Sequence, residues 1–181
     1  MDKRHTGISK FLSYVLRHRP DEIGIVLDGH GWVEIDRLLV AARAHGQPIS
    51  RNELDFVVEH NSKKRFAVSD DGLRIRASQG HSTDVDLAFR PSEPPELLYH
   101  GTARVHLESI REHGLVKGKR HQVHLSDDEA SARIVGQRHG SPVVLVVRAG
   151  EMARAGFTFF RSENGVWLTD AVPYRYVDEP D

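Results

Sequence analysis

Residues 89–96, FRPSEPPE, carry three prolines and two carboxylates. Proline offers no N–H to a helix or a central strand, and it pushes the residue before it toward extended backbone. This stretch therefore reads as a linker. The chain of 181 residues is expected to fold as two pieces, 1–88 and 97–181, each long enough to bury a core of its own.

The first piece is patterned mainly for helices. Thr6 is placed to cap a helix whose apolar residues Ile8, Phe11, Leu12, Val15 and Leu16 recur at helical spacing, and Pro20 stops it. A short strand is expected over 32–35. Asp36 then caps a helix through Leu38, Leu39, Ala42 and Ala44 that ends at Gly46. Ser50 and Glu53 form a capping-box pattern for a third helix, with Leu54, Val57 and Val58 inward. Segments 65–69 and 73–77 read as strands joined across Asp70-Asp71-Gly72. Three helices followed by a hairpin is the order of a winged helix, a fold that serves nucleic-acid and protein binding alike.

Strands dominate the expectation for the second piece. Leu98-Tyr99-His100 forms one that runs into Gly101-Thr102, and a helix over 103–113 stops at Gly114. Val123 and Leu125 alternate as in a strand, and Ser126 and Asp127 stand where a cap would precede a helix over 129–138. Residues 143–147 are a continuous apolar run, as in a strand buried on both faces. Asn164-Gly165 is a hairpin turn between 157–160 and 166–168. The whole is read as α+β.

Composition excludes several function classes. With no cysteine in the chain, disulfides, thiolate nucleophiles and iron–sulfur sites are ruled out, which fits a reducing, cytoplasmic setting. No apolar run reaches the roughly 18 residues of a membrane span, and the N-terminus lacks the pattern of an export signal. Formal net charge is −1, so any contact with nucleic acid must come from local basic clusters.

Three such clusters stand out. Arg17-His18-Arg19 closes the first helix. Guanidinium groups bind phosphate through paired hydrogen bonds, and histidine moves protons near neutral pH. The same residues at a helix C-terminus also offset its partial negative charge. Lys63-Lys64-Arg65 opens the hairpin, where it suits either an RNA backbone or plain solvent. Residues 117–121 make the third. There strand alternation would place Arg120, Gln122 and His124 on one face. It also puts His121 and His124 on opposite faces, and without HExxH or cysteine a zinc site is not expected. Tyr99-His100-Gly101-Thr102 reads as a ligand-binding turn: glycine admits close approach, while the flanking side chains supply polar groups. A capped turn with a packed histidine fits these residues equally well. No Rossmann or Walker glycine pattern occurs.

Leu16-Arg17-His18, Gly31-Trp32, Lys64-Arg65-Phe66, Ile75-Arg76-Ala77, Gln79-Gly80-His81-Ser82, Tyr99-His100-Gly101-Thr102 and Val123-His124-Leu125-Ser126 occur in that order. The series extends to Asn164-Gly165-Val166-Trp167-Leu168-Thr169. In this respect the whole chain resembles the KptA-type RNA 2′-phosphotransferases, whose fungal members act on the splice-junction 2′-phosphate of tRNA. The resemblance implies a winged-helix lobe that takes RNA phosphate and a β-rich lobe of the ADP-ribosyltransferase type that takes NAD. It implies Arg17, His18, Arg65 and Arg120 as the catalytic group. NAD would be held by Tyr99, His100, Gly101, Thr102, His124, Leu125, Ser126 and Val166. Val166 stands where transferases to protein often present a glutamate. The implied reaction passes the RNA 2′-phosphate to ADP-ribose without a metal, through an RNA-2′-phospho-ADP-ribose intermediate. Its products are 2′-OH RNA, nicotinamide and ADP-ribose 1″,2″-cyclic phosphate. The partners expected are RNA bearing a 2′-phosphate and NAD, with no membrane and the chain a monomer. Two alternatives stay open: an ADP-ribosyltransferase that modifies nucleic-acid terminal phosphates, and a non-catalytic winged-helix module that binds nucleic acid or protein.

Overall fold

The computed structural model describes residues 2–83, 85–118 and 120–180, and these form a mixed α/β protein with small antiparallel sheets. Two compact units divide the chain, 1–88 and 89–181. Among the described residues no helix is long and apolar enough to cross a membrane.

The first unit opens with α1 (Lys3–Arg17), whose N-cap is Asp2 rather than Thr6; the Asp2 carboxylate accepts from the His5 N–H at 2.9 Å. Thr6 lies one turn inside, its own N–H already bonded to the Asp2 carbonyl. The apolar stripe of α1 buries Ile8, Leu12, Val15 and Leu16. After a short 3₁₀ turn over Pro20–Ile23 come β1 (Val33–Glu34), α2 (Ile35–Ala44) and α3 (Arg51–Glu59). Helix α2 begins two residues earlier than expected, with Glu34 at its N-cap and Asp36 in its first turn. The capping box of α3 is complete: Ser50 Oγ accepts from the Glu53 N–H while the Glu53 carboxylate accepts from the Ser50 N–H.

Strands β2 (Phe66–Val68) and β3 (Arg74–Ala77) form the hairpin across Asp70-Asp71-Gly72, and β1 adds to β3 to give the order β1-β3-β2. Gly72 takes the left-handed conformation that the turn needs, at φ 72°. Phe66, Ile75 and Ala77 face the core with Leu38, Leu54 and Val57.

The second unit follows the order β4 (Leu98–Ala103), α4 (Leu107–His113), β5 (Leu115–Val116), β6 (Val123–Leu125) and α5 (Glu129–Gly136). It continues with β7 (Pro142–Val147), α6 (Ala149–Arg154), β8 (Phe160–Arg161), β9 (Trp167–Thr169), β10 (Ala171–Val172) and β11 (Val177–Asp178). Three antiparallel sheets result, ordered β11-β7-β4, β6-β9-β8 and β10-β5. The apolar run at 143–147 is the central strand of its sheet, flanked on both sides and largely buried. The cap of α5 is Asp128, not Ser126 or Asp127, because Asp128 is the residue whose carboxylate reaches the Ser131 N–H, at 2.8 Å.

Two further points bear on the site. Residues 91–96, read as part of the linker, are tied to this second unit: Pro91 bridges Phe160, the Ser92 N–H donates to Phe159, and the Gly150 N–H donates to Glu96. Strands β4 and β6 belong to different sheets, yet they are stitched at one place, where Tyr99 and Ser126 exchange backbone hydrogen bonds of 3.0 and 2.8 Å.

Candidate active site

In the first unit the structure gathers Arg17, His18 and Arg65 from two distant stretches. Arg17 ends α1 and His18 is its C-cap. The Arg17 guanidinium reaches beyond its own helix, with Nη2 donating to the Arg65 carbonyl at 3.4 Å. Arg19 is different: it is exposed and spends its charge on Asp21 and Glu22, as a solvated helix end would.

Arg65 enters from the turn before β2. That turn is built on Asn61, which is buried. Its amide donates to Ser9 Oγ on α1 at 3.1 Å, and its oxygen accepts both the Lys63 N–H and Arg65 Nη1, each at 3.1 Å. Lys64 is held at φ 41°, a conformation that costs a non-glycine residue about 1 kcal/mol. Ser78 secures it, with Oγ bonded to the Lys64 carbonyl and N–H to the Arg65 carbonyl. Asn61 and Ser78 went unread in the sequence because their roles rest on tertiary contacts.

The Gln79-Gly80-His81-Ser82 stretch returns to α1. The Ser82 N–H and the Thr83 hydroxyl both donate to the Arg17 carbonyl, and Ser82 Oγ lies 2.9 Å from His18 Nδ1. Gly31-Trp32 and Arg76 also meet, with the Arg76 guanidinium 4.6 Å from the Trp32 ring centroid.

In the second unit the stitch between β4 and β6 sets His100 against His124. His100 Nδ1 lies 3.0 Å from the His124 carbonyl, which can only accept, so Nδ1 carries the proton and Nε2 the lone pair. Burial pushes the His100 pKa down from 6.5; the His124 carbonyl opposes this and the charge of Arg120 adds to it. His100 is thus a neutral imidazole that presents an acceptor at Nε2, suited to a hydroxyl donor.

Arg120 Nη1 lies 2.9 Å from His124 Nδ1. A guanidinium can only donate, so His124 carries its proton on Nε2. The contact does not come from strand alternation as expected, since β6 begins only at Val123. Arg120 sits in a bend, its N–H bonded to the Lys117 carbonyl. Lys119, part of the same basic cluster, lies outside the described residues. Burial and the nearby charge of Arg138 lower the Arg120 pKa, and the group stays charged at neutral pH. Arg138 is a second cation at this place that the sequence reading passed over.

The remaining predicted ligand residues differ in what they can offer. Tyr99 and Ser126 are half-buried. Leu125 and Thr102 are buried, Leu125 within the apolar core. A Cβ on Gly101 would fall 1.6 Å from the Ala132 carbonyl oxygen, so this glycine admits the close approach of helix α5. Gly136 answers it from α5, where a Cβ would meet the Thr102 carbonyl oxygen at 2.6 Å. Val166 is half-buried just before β9, its N–H and carbonyl both tied to the buried Ser162 hydroxyl.

Comparison with known proteins bears on this arrangement. The model of the RNA 2′-phosphotransferase, Tpt1 / KptA family matches residues 3–171. A probable RNA 2′-phosphotransferase of Escherichia coli O6:K15:H31 (strain 536 / UPEC) is 54% identical over 178 residues, covering 98% of this chain and 97% of the relative. Another, from Agrobacterium fabrum (strain C58 / ATCC 33970), is 56% identical over 172 residues, covering 95% and 92%. The RNA 2′-phosphotransferase of Escherichia coli (strain K12) is 53% identical over 178 residues, covering 98% and 97%.

Proposed function

Because this chain belongs to the RNA 2′-phosphotransferase, Tpt1 / KptA family and is a transferase, we propose that it removes a 2′-phosphate from RNA by passing it to the ADP-ribose part of NAD. In this reading the first unit is a winged-helix lobe that takes the RNA phosphate. The second is a lobe of the ADP-ribosyltransferase type that takes NAD.

The observation that carries the proposal is the hydrogen-bonded run from Arg120 through His124 to His100. It couples a phosphate-binding cation to a neutral histidine acceptor within one short stretch of the fold. His100 Nε2 would accept from a ribose hydroxyl of NAD, and the polar backbone around Tyr99 and Ser126 would orient the nucleotide. Arg120 would bind the phosphoryl oxygens, with His124 keeping its guanidinium aimed.

Two displacements follow. The RNA 2′-phosphate, already an anion, attacks the ribose carbon that bears nicotinamide; that carbon–nitrogen bond breaks and nicotinamide leaves. This step needs no general base, which fits Val166 at a place where a carboxylate would repel the incoming phosphate. The ribose 2″-hydroxyl then attacks phosphorus, gives up its proton, and expels the RNA 2′-oxygen, which takes a proton up. The products are 2′-OH RNA and ADP-ribose 1″,2″-cyclic phosphate. Negative charge gathers on the phosphoryl oxygens in this second step, so Arg17, Arg65 and Arg120 matter most there. His18 is the proton donor to the leaving oxygen. The scheme calls for no metal, because three guanidinium groups supply the positive charge.

Rapid-quench kinetics with RNA carrying a single labelled 2′-phosphate test the assignment. Arg120→Ala should slow the second step by about 10²-fold or more and let ADP-ribosylated RNA accumulate. Nicotinamide release without any cyclic phosphate, in the unaltered protein, would instead establish a transferase that stops at the ADP-ribosylated phosphate.

A further inference from the structure

We infer that Ser82 is a positioning residue for His18, holding its Nδ1 so that the proton delivered to the leaving RNA oxygen comes from Nε2. The inference deepens the proposed reaction and rests on it for the role of His18.

The segment from Ser78 to Thr83 runs directly from the end of β3, and it touches every catalytic residue of the first unit. At one end Ser78 bonds the Lys64 and Arg65 carbonyls. At the other, Ser82 bonds twice: its N–H to the Arg17 carbonyl at 2.9 Å and its Oγ to His18 Nδ1 at 2.9 Å. Thr83 adds a hydroxyl to the same carbonyl. One short strap thus sets the backbone that carries Arg65, the helix end that carries Arg17 and the ring of His18.

The hydroxyl of Ser82 suits this place chemically. A histidine that acts as an acid must lose a proton from one nitrogen while the other keeps its own. Ser82 Oγ can accept from Nδ1–H both before and after Nε2 gives up its proton, so the ring need not turn between the two states. His18 is exposed at the end of a helix. The hydrogen bond with Ser82, 64 positions away in the chain, restrains rotation of its ring.

Substitution separates this role from a structural one. Ser82→Ala deletes only the bond to His18, since the bond to Arg17 is made by the backbone, and Ser82 is exposed. Single-turnover kinetics should show the second step slowed about tenfold or more relative to the first, a part of the 10²–10⁴-fold that a general acid contributes. Ser82→Thr, which keeps the hydroxyl, should recover most of the rate. In ¹⁵N spectra of the histidine rings, the His18 Nδ1 resonance should move in Ser82→Ala and return in Ser82→Thr. If both steps of Ser82→Ala stay within twofold of the unaltered protein, or if Ser82→Thr is as slow as Ser82→Ala, the positioning role is overturned. If the unaltered protein releases no nicotinamide, the proposed reaction fails instead, and the His18 resonance alone decides: no movement in Ser82→Ala overturns the inference.

Discussion

His100 shows how a single side chain is prepared by its surroundings. Its proton is fixed on Nδ1 by the His124 carbonyl, and burial disfavours a second proton. In the unfolded chain the same imidazole titrates near 6.5. Above that pH both states are neutral and the group adds no pH dependence to stability. As pH falls below 6.5 the unfolded chain takes up a proton that the folded protein declines, so stability drops until the lower, folded pKa is passed. Thermal melts across pH 5–8 should therefore show a decline below about 6.5 that is shallower in His100→Asn. An equal slope in both proteins would mean that folded His100 takes up its proton as readily as the unfolded chain does.

At the scale of elements, α5 packs on β4 closely enough that glycines stand on both sides of the contact, Gly101 and Gly136. Gly101→Ala should lower the free energy of urea unfolding by about 2 kcal/mol or more, because the added methyl meets helix backbone that cannot turn aside. A variant as stable as the unaltered protein would show that the helix contact does not require this glycine. Much of the element plan was legible from the sequence. Ser50 with Glu53, Asp70-Asp71-Gly72 and Asn164-Gly165 are local signals, each decided within a few residues, and each appears where expected. The caps at Thr6, Asp36 and Ser126 were misplaced, since several acceptors stand near each helix start and only backbone geometry chooses among them. The glycine at 101 was legible as a close approach, but not what approaches it. The site residues were legible mainly as resemblance. The contact between His100 and His124 depends on the stitch at Tyr99 and Ser126, and that between His18 and Ser82 spans 64 positions; periodicity carries no information about either.

For the molecule as a whole, formal net charge of −1 means that little general attraction to RNA exists. In the proposed reading each unit addresses few phosphates, through Arg17 and Arg65 in the first and Arg120 in the second. The KM for RNA should then rise only gently with salt, with a log–log slope of about 2, as three cations on a single strand would give. A much steeper slope would reveal an extended RNA track elsewhere on the protein. The central claim is tested most directly by following the phosphate itself. The protein is incubated with NAD, a metal chelator and a short RNA bearing one internal radiolabelled 2′-phosphate, and the products are separated. Label should pass to ADP-ribose 1″,2″-cyclic phosphate while the RNA gains a 2′-hydroxyl. Label that stays on the RNA, with no nicotinamide released, would contradict the account.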